Sequence, residues 1–200
     1  AKADIPVCHS MMGAGVMPHD DPLNLGMVGM HGTVAANRAA DECDLLLAVG
    51  VRFPDRVALS PKKFAPKAKI VHIDADRSEL NKNVKVDMAI RCDILQAMEM
   101  LHEGVAEASH PDWMAKLADW KAVCSRDCPV GDGLDPCSLI AKISELSGPD
   151  AIYVTDVGQH QMWAAQYVHH NEPKHFITSG GLGTMGFGYG AAIGAKLANP

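Results

Sequence analysis

A glycine-rich stretch near the end of the chain has the composition of a site that holds a phosphorylated ligand. Six glycines fall within residues 178–190, between a strand-like run (175–178) and a helix-like run (191–198). Glycine at this density allows sharp bends and close approach of another molecule. Backbone N–H groups and the positive end of a helix dipole suit a diphosphate at such a junction. A purely structural role, in which the glycines let the helix pack closely on the sheet, stays open.

A second candidate lies just upstream, where an apolar strand (151–155) runs into a glycine turn at the start of a helix. Gly158, Gln159 and His160 could simply cap that helix, or they could bind phosphate beside the glycine-rich stretch. Gly181, Gly183 and Gly186 also match G-x-G-x-x-G, the dinucleotide fingerprint. An NAD-dependent oxidoreductase is therefore an alternative function.

The elements that must position these residues alternate between strand and helix. Apolar runs predict strands at 5–8, 44–50, 69–74 and 89–92, and periodic segments predict helices at 34–43 and 94–107, with Thr33 as an N-cap. This alternation predicts an α/β fold with parallel, doubly wound sheets. The run 44–50 should be buried on both faces, and His72 should be a hydrogen-bonded core residue. A non-catalytic nucleotide-binding module formed by residues 1–108 is a third possible function.

The middle of the chain separates two such units. The spacing of Trp113, Leu117, Trp120 and Cys124 predicts a helix with an apolar core-facing stripe. Residues 128–136 are typical of a linker, in which 131–133 (Gly-Asp-Gly) form a turn, and Pro136 opens a helix at 137–146. We therefore predict two incomplete Rossmann-like three-layer domains at 1–108 and 136–200, joined by the helix and linker at 109–135.

The composition excludes several classes of function. A net charge of −6 gives no basic surface for nucleic acid, and no apolar run reaches the roughly 18 residues of a membrane span. The six cysteines lack paired C-x-x-C spacing, so we expect reduced thiols in a cytoplasmic protein rather than a metal site. Both ends of the sequence are typical of the interior of a domain, which predicts a piece of a longer protein.

Three longer runs carry a family resemblance. TDVGQHQMWAAQ with SGGLGTMGFGYGAAIGAKLANP resembles the diphosphate-binding domain of the acetolactate (acetohydroxyacid) synthase large catalytic subunit. GMVGMHGTVAANRAADECDLLLAVGVRFPDRV and KIVHIDADRSELNKN resemble the FAD-binding central domain of the same family. The resemblance implies thiamine diphosphate-dependent decarboxylation of pyruvate and condensation with a second 2-oxo acid, pyruvate or 2-oxobutyrate. This reaction serves isoleucine, valine and leucine biosynthesis, and the FAD does no net redox work.

The resemblance also assigns residues. It places Gly158, Gln159 and His160 at the diphosphate, and Gly183 and Met185 under the aminopyrimidine ring. The implied FAD residues are Met30, His31, Gly32, Thr33, Gly50, Val51, Arg52, Asp74 and Asp93. Arg56 would grip the carboxylate of the acceptor. Pro54, where the family usually has aspartate, and Gly190, where it usually has proline, depart from the pattern.

Other parts of the family's site are expected outside this sequence. The catalytic glutamate and the Mg²⁺ ligands have no counterpart in it, so we predict no metal ligand within the chain. The 200 residues alone should be inactive. The implied assembly is a homodimer or tetramer of the full-length protein, with a small regulatory subunit as a further partner, and neither nucleic acid nor membrane is an expected partner.

Overall fold

The computed structural model of the chain describes residues 2–124 and 135–200. The strands are β1 (Val7–His9), β2 (Asn24–Met27), β3 (Leu45–Val49), β4 (Lys69–Asp74), β5 (Met88–Arg91), β6 (Tyr153–Val154) and β7 (Phe176–Ile177). The helices are α1 (Val34–Glu42), α2 (Ile94–Gly104), α3 (Pro111–Cys124), α4 (Pro136–Ser147), α5 (Gln159–Tyr167) and α6 (Phe187–Ala198). Single 3₁₀ turns lie at Met11–Gly13 and Pro61–Lys63. The predicted linker turn at 131–133 lies outside the described residues.

Parallel pairing builds three small sheets in the described parts of the chain. β1 pairs with β2, β6 pairs with β7, and β3, β4 and β5 form a three-stranded sheet in that order. Leu45 is opposite Lys69 and Asp74 is opposite Arg91, so the carboxyl ends of β3, β4 and β5 lie along one edge. The predicted α/β fold with parallel sheets is confirmed.

Local capping chemistry fixes where two helices begin. The Thr33 hydroxyl accepts the Ala36 N–H (3.0 Å) and donates to the Leu25 carbonyl (2.6 Å), as predicted for the N-cap of α1. The Asp93 carboxylate accepts the N–H groups of Leu95 and Gln96 at the start of α2. Both side chains satisfy N–H groups that a helix start leaves without partners.

Three predictions about elements are wrong. The sequence indicated no strand at β2, which forms because its backbone pairs with β1. The run at β3 is not buried on both faces, since Leu45 is 51% exposed; loop residues such as Phe53 and Val84 cover part of that sheet. Helix α6 begins at Phe187, four residues before the predicted start, so the last glycines of the stretch are helical.

One hydrophobic cluster joins the two ends of the chain. Ala14 and Met27 pack in the same buried cluster as four residues in or just after α5 and in β7, namely Ala164, Ala165, Val168 and Phe176. A second cluster packs α3 on α1 through Leu117, which is 1% exposed, with Trp113 and Trp120 beside it. The predicted apolar stripe of α3 is therefore a core contact at Leu117.

Candidate functional site

The turn after β6 presents an open helix N-terminus. Gly158 is the N-cap of α5 at φ 147°, and among the described residues no side chain caps this helix. A Cβ at Gly158 would lie 3.3 Å from two atoms of the His160 ring. Gln159 and His160 are exposed. An uncapped helix start with polar side chains around it is suited to an anion.

The loop between β7 and α6 is held from within by Ser179. Its carbonyl accepts the Gly183 N–H (3.0 Å) and its hydroxyl accepts the Thr184 N–H (3.0 Å). Gly183 and Gly186 have φ of 64° and 86°, a region that favours glycine. The Met185 side chain is 80% exposed. The loop therefore holds an apolar side chain in solvent, where it is available to pack against a ligand.

Asp156 joins these two segments, a role that was not predicted from the sequence. Its carboxylate accepts the N–H groups of Val157 (2.7 Å), Gly186 (3.0 Å) and Gly188 (3.0 Å). The hydrogen bonds from Val157 and Gly188 are the main reason that the pKa of this carboxyl lies below its usual range. An acid directly after the predicted apolar strand at 151–155 was the available signal.

A trio of buried polar residues, Thr155, Gln161 and Thr178, forms a hydrogen-bonded group next to these segments. The hydroxyls of Thr155 and Thr178 are hydrogen-bonded (2.8 Å), and the Gln161 side-chain amide donates to Thr178 (2.7 Å). All three residues are buried, at the carboxyl ends of β6 and β7 and in the first turn of α5. The trio fixes the two strand ends and the helix start against one another.

The candidate flavin-side loop at 30–33 contacts both halves of the described chain. The Met30 N–H donates to the Arg56 carbonyl (2.7 Å), and the Gln166 side chain on α5 donates to the His31 carbonyl (2.7 Å). Gly32 fits against the Met27 carbonyl so closely that a Cβ would lie 2.4 Å from it. This loop is thus packed beside helix α5.

The other candidate FAD residues lie at the carboxyl edge of the three-stranded sheet. Gly50, at φ 62°, donates its N–H to the Ile73 carbonyl, and a Cβ there would meet the Ile94 side chain. Val51 is partly buried and Arg52 is exposed beyond β3. The Asp74 carboxylate accepts the Asp76 N–H (2.8 Å). Asp93, as the N-cap of α2, already has two N–H partners.

His72 differs from the expectation. The side chain is fully buried, as expected of a core residue, and it stacks edge-on with Phe53 at 5.1 Å. However, neither ring nitrogen has a hydrogen-bond partner among the described residues. The nearest carboxylate oxygen, Asp74 Oδ2, is 3.9 Å from Nε2. His72 is therefore a core residue, as predicted, but the prediction that its ring is hydrogen-bonded is wrong.

Arg56 lies beside the flavin-side loop. Its side chain is 66% exposed and reaches the neighbouring Asp55 carboxylate at 3.5 Å. The carbonyl of Pro54 accepts the N–H groups of Val57 and Ala58, which folds this segment into a tight turn. Gly29 packs so closely on the Arg56 carbonyl that a Cβ would lie 2.3 Å from it. The guanidinium therefore extends from a fixed backbone into solvent.

The structure thus gathers the candidate residues into two groups. Gly158, Gln159 and His160 are linked to the loop of Gly183 and Met185 through Asp156, while the flavin-side residues surround the sheet edge and the turn at Arg56. No group of three or more His, Cys, Asp or Glu residues that could hold a metal ion occurs in the described part of the chain. Within residues 2–124 and 135–200, no helix is long and apolar enough to cross a membrane.

Comparison with known proteins identifies the families of both parts. Residues 1–101 match the central domain of thiamine pyrophosphate enzymes, and residues 156–200 match their C-terminal thiamine pyrophosphate-binding domain. The chain is 46% identical over 203 residues to acetolactate synthase 1, chloroplastic, of Nicotiana tabacum, covering 98% of this chain and 30% of that protein.

Two bacterial relatives give the same result. The chain is 44% identical over 204 residues to the acetolactate synthase large subunit of Parasynechococcus marenigrum, covering all of this chain and 33% of the relative. It is 43% identical over 202 residues to the isozyme 1 large subunit of Escherichia coli, covering all of this chain and 36% of the relative. The chain therefore spans about a third of the length of these relatives, and the resemblance predicted from the sequence is confirmed.

Proposed function

Because the chain belongs to the thiamine pyrophosphate enzyme family, we propose that it is part of an acetolactate synthase large subunit. In the complete protein it would contribute to decarboxylation of pyruvate and condensation with pyruvate or 2-oxobutyrate, in branched-chain amino acid biosynthesis. The observation that carries the proposal is similarity to acetolactate synthases along the whole chain, at 43–46% identity to the three relatives above. The exposed glycine loops at the ends of β6 and β7 support it.

Two segments of this chain would hold thiamine diphosphate. The uncapped start of α5 at Gly158, Gln159 and His160 would take the diphosphate, because free N–H groups and the helix dipole favour an anion there. The backbone at Gly183 and the exposed side chain of Met185 would support the aminopyrimidine ring. Methionine suits this role because it is apolar and adapts its shape. When bound, thiamine diphosphate supplies an electron sink for carbon dioxide loss.

FAD and Mg²⁺ complete the proposed cofactor set. The flavin-side loop (Met30, His31, Gly32 and Thr33) and the strand end at Gly50, Val51 and Arg52 would line the FAD site. The position of Gly50, Val51 and Arg52 supports it, since ligands of open α/β sheets bind outside the carboxyl ends of the strands. Asp74 is nearby at the same sheet edge, whereas the carboxylate of Asp93 caps α2 and would need to share that role. The Mg²⁺ ligands would come from other parts of the protein.

Arg56 would bind the carboxylate of the acceptor 2-oxo acid. Its guanidinium is mostly exposed, and the one carboxylate paired with it among the described residues is that of Asp55, at 3.5 Å. A guanidinium can bind a substrate carboxylate with two parallel hydrogen bonds. The turn at Pro54 would fix the backbone from which it reaches.

The remaining features are proposals of the same kind. Residues 1–108 would form part of an FAD-binding domain and residues 136–200 part of a diphosphate-binding domain, joined by 109–135. The words "large subunit" in the names of the bacterial relatives support a small regulatory subunit as partner. We also propose a homodimer or tetramer of the full-length protein, located in the cytoplasm.

The test uses the purified full-length protein that contains this chain. With pyruvate, thiamine diphosphate and Mg²⁺ it should form acetolactate, measured by colour after conversion to acetoin, and omission of thiamine diphosphate should abolish the product. Turnover of reduced nicotinamide without acetolactate formation would instead support an NAD-dependent oxidoreductase and refute the proposal.

A further inference from the structure

Helix α6 begins at a position where a remote carboxylate replaces the usual capping residue. Gly186 is its N-cap and has no side chain to accept a hydrogen bond. The Gly188 N–H, which the helix leaves without an intrahelical partner, donates to Asp156 Oδ2 at 3.0 Å. The Gly186 N–H donates to the other oxygen, also at 3.0 Å. Asp156, thirty residues upstream, therefore caps α6.

The first turn of α6 also packs closely on the backbone of Asp156. Gly188 is buried, and a Cβ at this position would lie 2.8 Å from the Asp156 backbone nitrogen and 3.1 Å from its Cα. The first turn of α6 thus sits directly on the end of β6. Because the helix start cannot approach this closely with any side chain at 188, the carboxylate has a fixed geometry toward both N–H groups.

Hydrogen bonds on both sides also fix the backbone at Met185, which lies between Gly183 and Gly186. Met185 follows Thr184, whose N–H is held by Ser179, and precedes Gly186, whose N–H is held by Asp156. Its own side chain is 80% exposed, so packing within the chain does not define its position. The two hydrogen-bonded neighbours are what determine where Met185 stands relative to the turn at Gly158.

The Asp156 carboxylate also makes the starts of α5 and α6 differ in their capacity to bind an anion. At α6 it occupies N–H groups that an anion would otherwise use, whereas at α5 no side chain of the described residues caps the start. A diphosphate bound beside these loops would therefore meet the α5 end, and the negative charge of Asp156 would oppose its binding at α6.

From this geometry we infer that Asp156 is a positioning residue for thiamine diphosphate. It holds the Met185 loop against the diphosphate-side turn and does not itself contact the cofactor. The inference rests on the function proposed above. Loss of the Asp156 carboxylate should weaken the binding of thiamine diphosphate while leaving the FAD content and the fold of the protein unchanged.

The experiment measures the affinity of the full-length protein for thiamine diphosphate with Mg²⁺, by titration calorimetry, for Asp156→Asn and for Asp150→Asn. Asp150 is an exposed acid just before the same strand and gives the matched change in charge. Asparagine offers one acceptor oxygen where aspartate offers two, so Asp156→Asn should raise the Kd about tenfold. The KM for thiamine diphosphate should rise in parallel, and the KM for pyruvate at saturating cofactor should stay within about twofold, a split that general unfolding does not produce.

Ser179→Ala provides an independent test, because it removes the hydroxyl that holds Thr184 on the other side of Met185. It should raise the Kd about threefold, and it decides the matter if Asp156→Asn does not fold. Equal affinity in Asp156→Asn and Asp150→Asn, with the parent protein binding normally, would overturn this inference alone; if Asp156→Asn is unfolded, unchanged affinity in Ser179→Ala does so. A parent protein that binds no thiamine diphosphate would overturn the proposed function and this inference with it.

Discussion

A buried histidine should make the stability of this protein depend on pH. His170, just after α5, is 8% exposed, hydrogen-bonded to the Ala165 carbonyl (3.2 Å), and packed edge-on against Phe176. Its pKa is lowered from 6.5 to about 4, chiefly because burial penalises the charged ring, and further by the nearby His9 and His19. Burial also lowers the pKa of each of these two histidines.

The sign follows from proton binding in the two states. Between the folded pKa of about 4 and the unfolded pKa of 6.5, the unfolded chain binds the proton and the folded chain does not. Stability is therefore fully present above pH 6.5 and falls as the pH drops toward 4. For His170 alone this amounts to about 2 kcal/mol between about pH 7 and pH 5. In a chain of this size that corresponds to roughly 4–8 °C in Tm.

The assay measures the free energy of unfolding in urea for this chain (the parent) and for its His170→Gln variant, at about pH 7 and at about pH 5. Glutamine can keep the hydrogen bond to Ala165 but does not titrate, so the variant should lose about 2 kcal/mol less than the parent over this interval. His110→Gln, at an exposed position before α3, is the control and should behave like the parent. If His170→Gln and the parent lose the same free energy, His170 is not buried in its neutral form and the reasoning is wrong.

Three further predictions address the proposed site and the core. In the full-length enzyme, Arg56→Ala should weaken binding of the acceptor 2-oxo acid by roughly 1.5–3 kcal/mol, because a charge-assisted contact is lost. The affinity for thiamine diphosphate should not change. Equal losses in acceptor binding and in cofactor affinity would show that Arg56 is structural. His72→Leu removes two buried ring nitrogens that have no hydrogen-bond partner among the described residues, so the free energy of unfolding should not fall, and a loss above about 2 kcal/mol would reveal a partner for His72. The 200-residue chain expressed alone should form no acetolactate, because the family resemblance places the catalytic glutamate and the Mg²⁺ ligands elsewhere. It should bind FAD weakly or not at all, because the resemblance places the opening of the FAD-binding domain outside this sequence. An active or stoichiometrically yellow product would contradict this.

What the sequence predicted correctly rests on short-range interactions. Strand β4 has the predicted bounds because a continuous apolar run defines it, and the predicted N-cap at Thr33 accepts the N–H of a residue only three positions further along the chain. The start of α6 was missed because glycine is a poor helix former, so Gly188 and Gly190 indicated a loop. The role of Asp156 depends on a contact thirty residues away, which no local pattern encodes. The family resemblance identified the candidate site residues, but not the hydrogen bonds that position them.

Glycine at position 158 offers the most direct test of the claim that this chain holds thiamine diphosphate. Its φ of 147° disfavours any side chain, and a Cβ would press on the His160 ring at the α5 start. Gly148, after α4, also has a positive φ (80°) but has no atom within 4 Å of such a Cβ among the described residues, so Gly148→Ala is a matched control for backbone strain. In the full-length protein, Gly158→Ala should weaken binding of thiamine diphosphate with Mg²⁺ by at least about tenfold, or roughly 1.4 kcal/mol, while Gly148→Ala binds like the parent. Unchanged affinity in a folded Gly158→Ala protein would contradict the assignment of this turn to the cofactor.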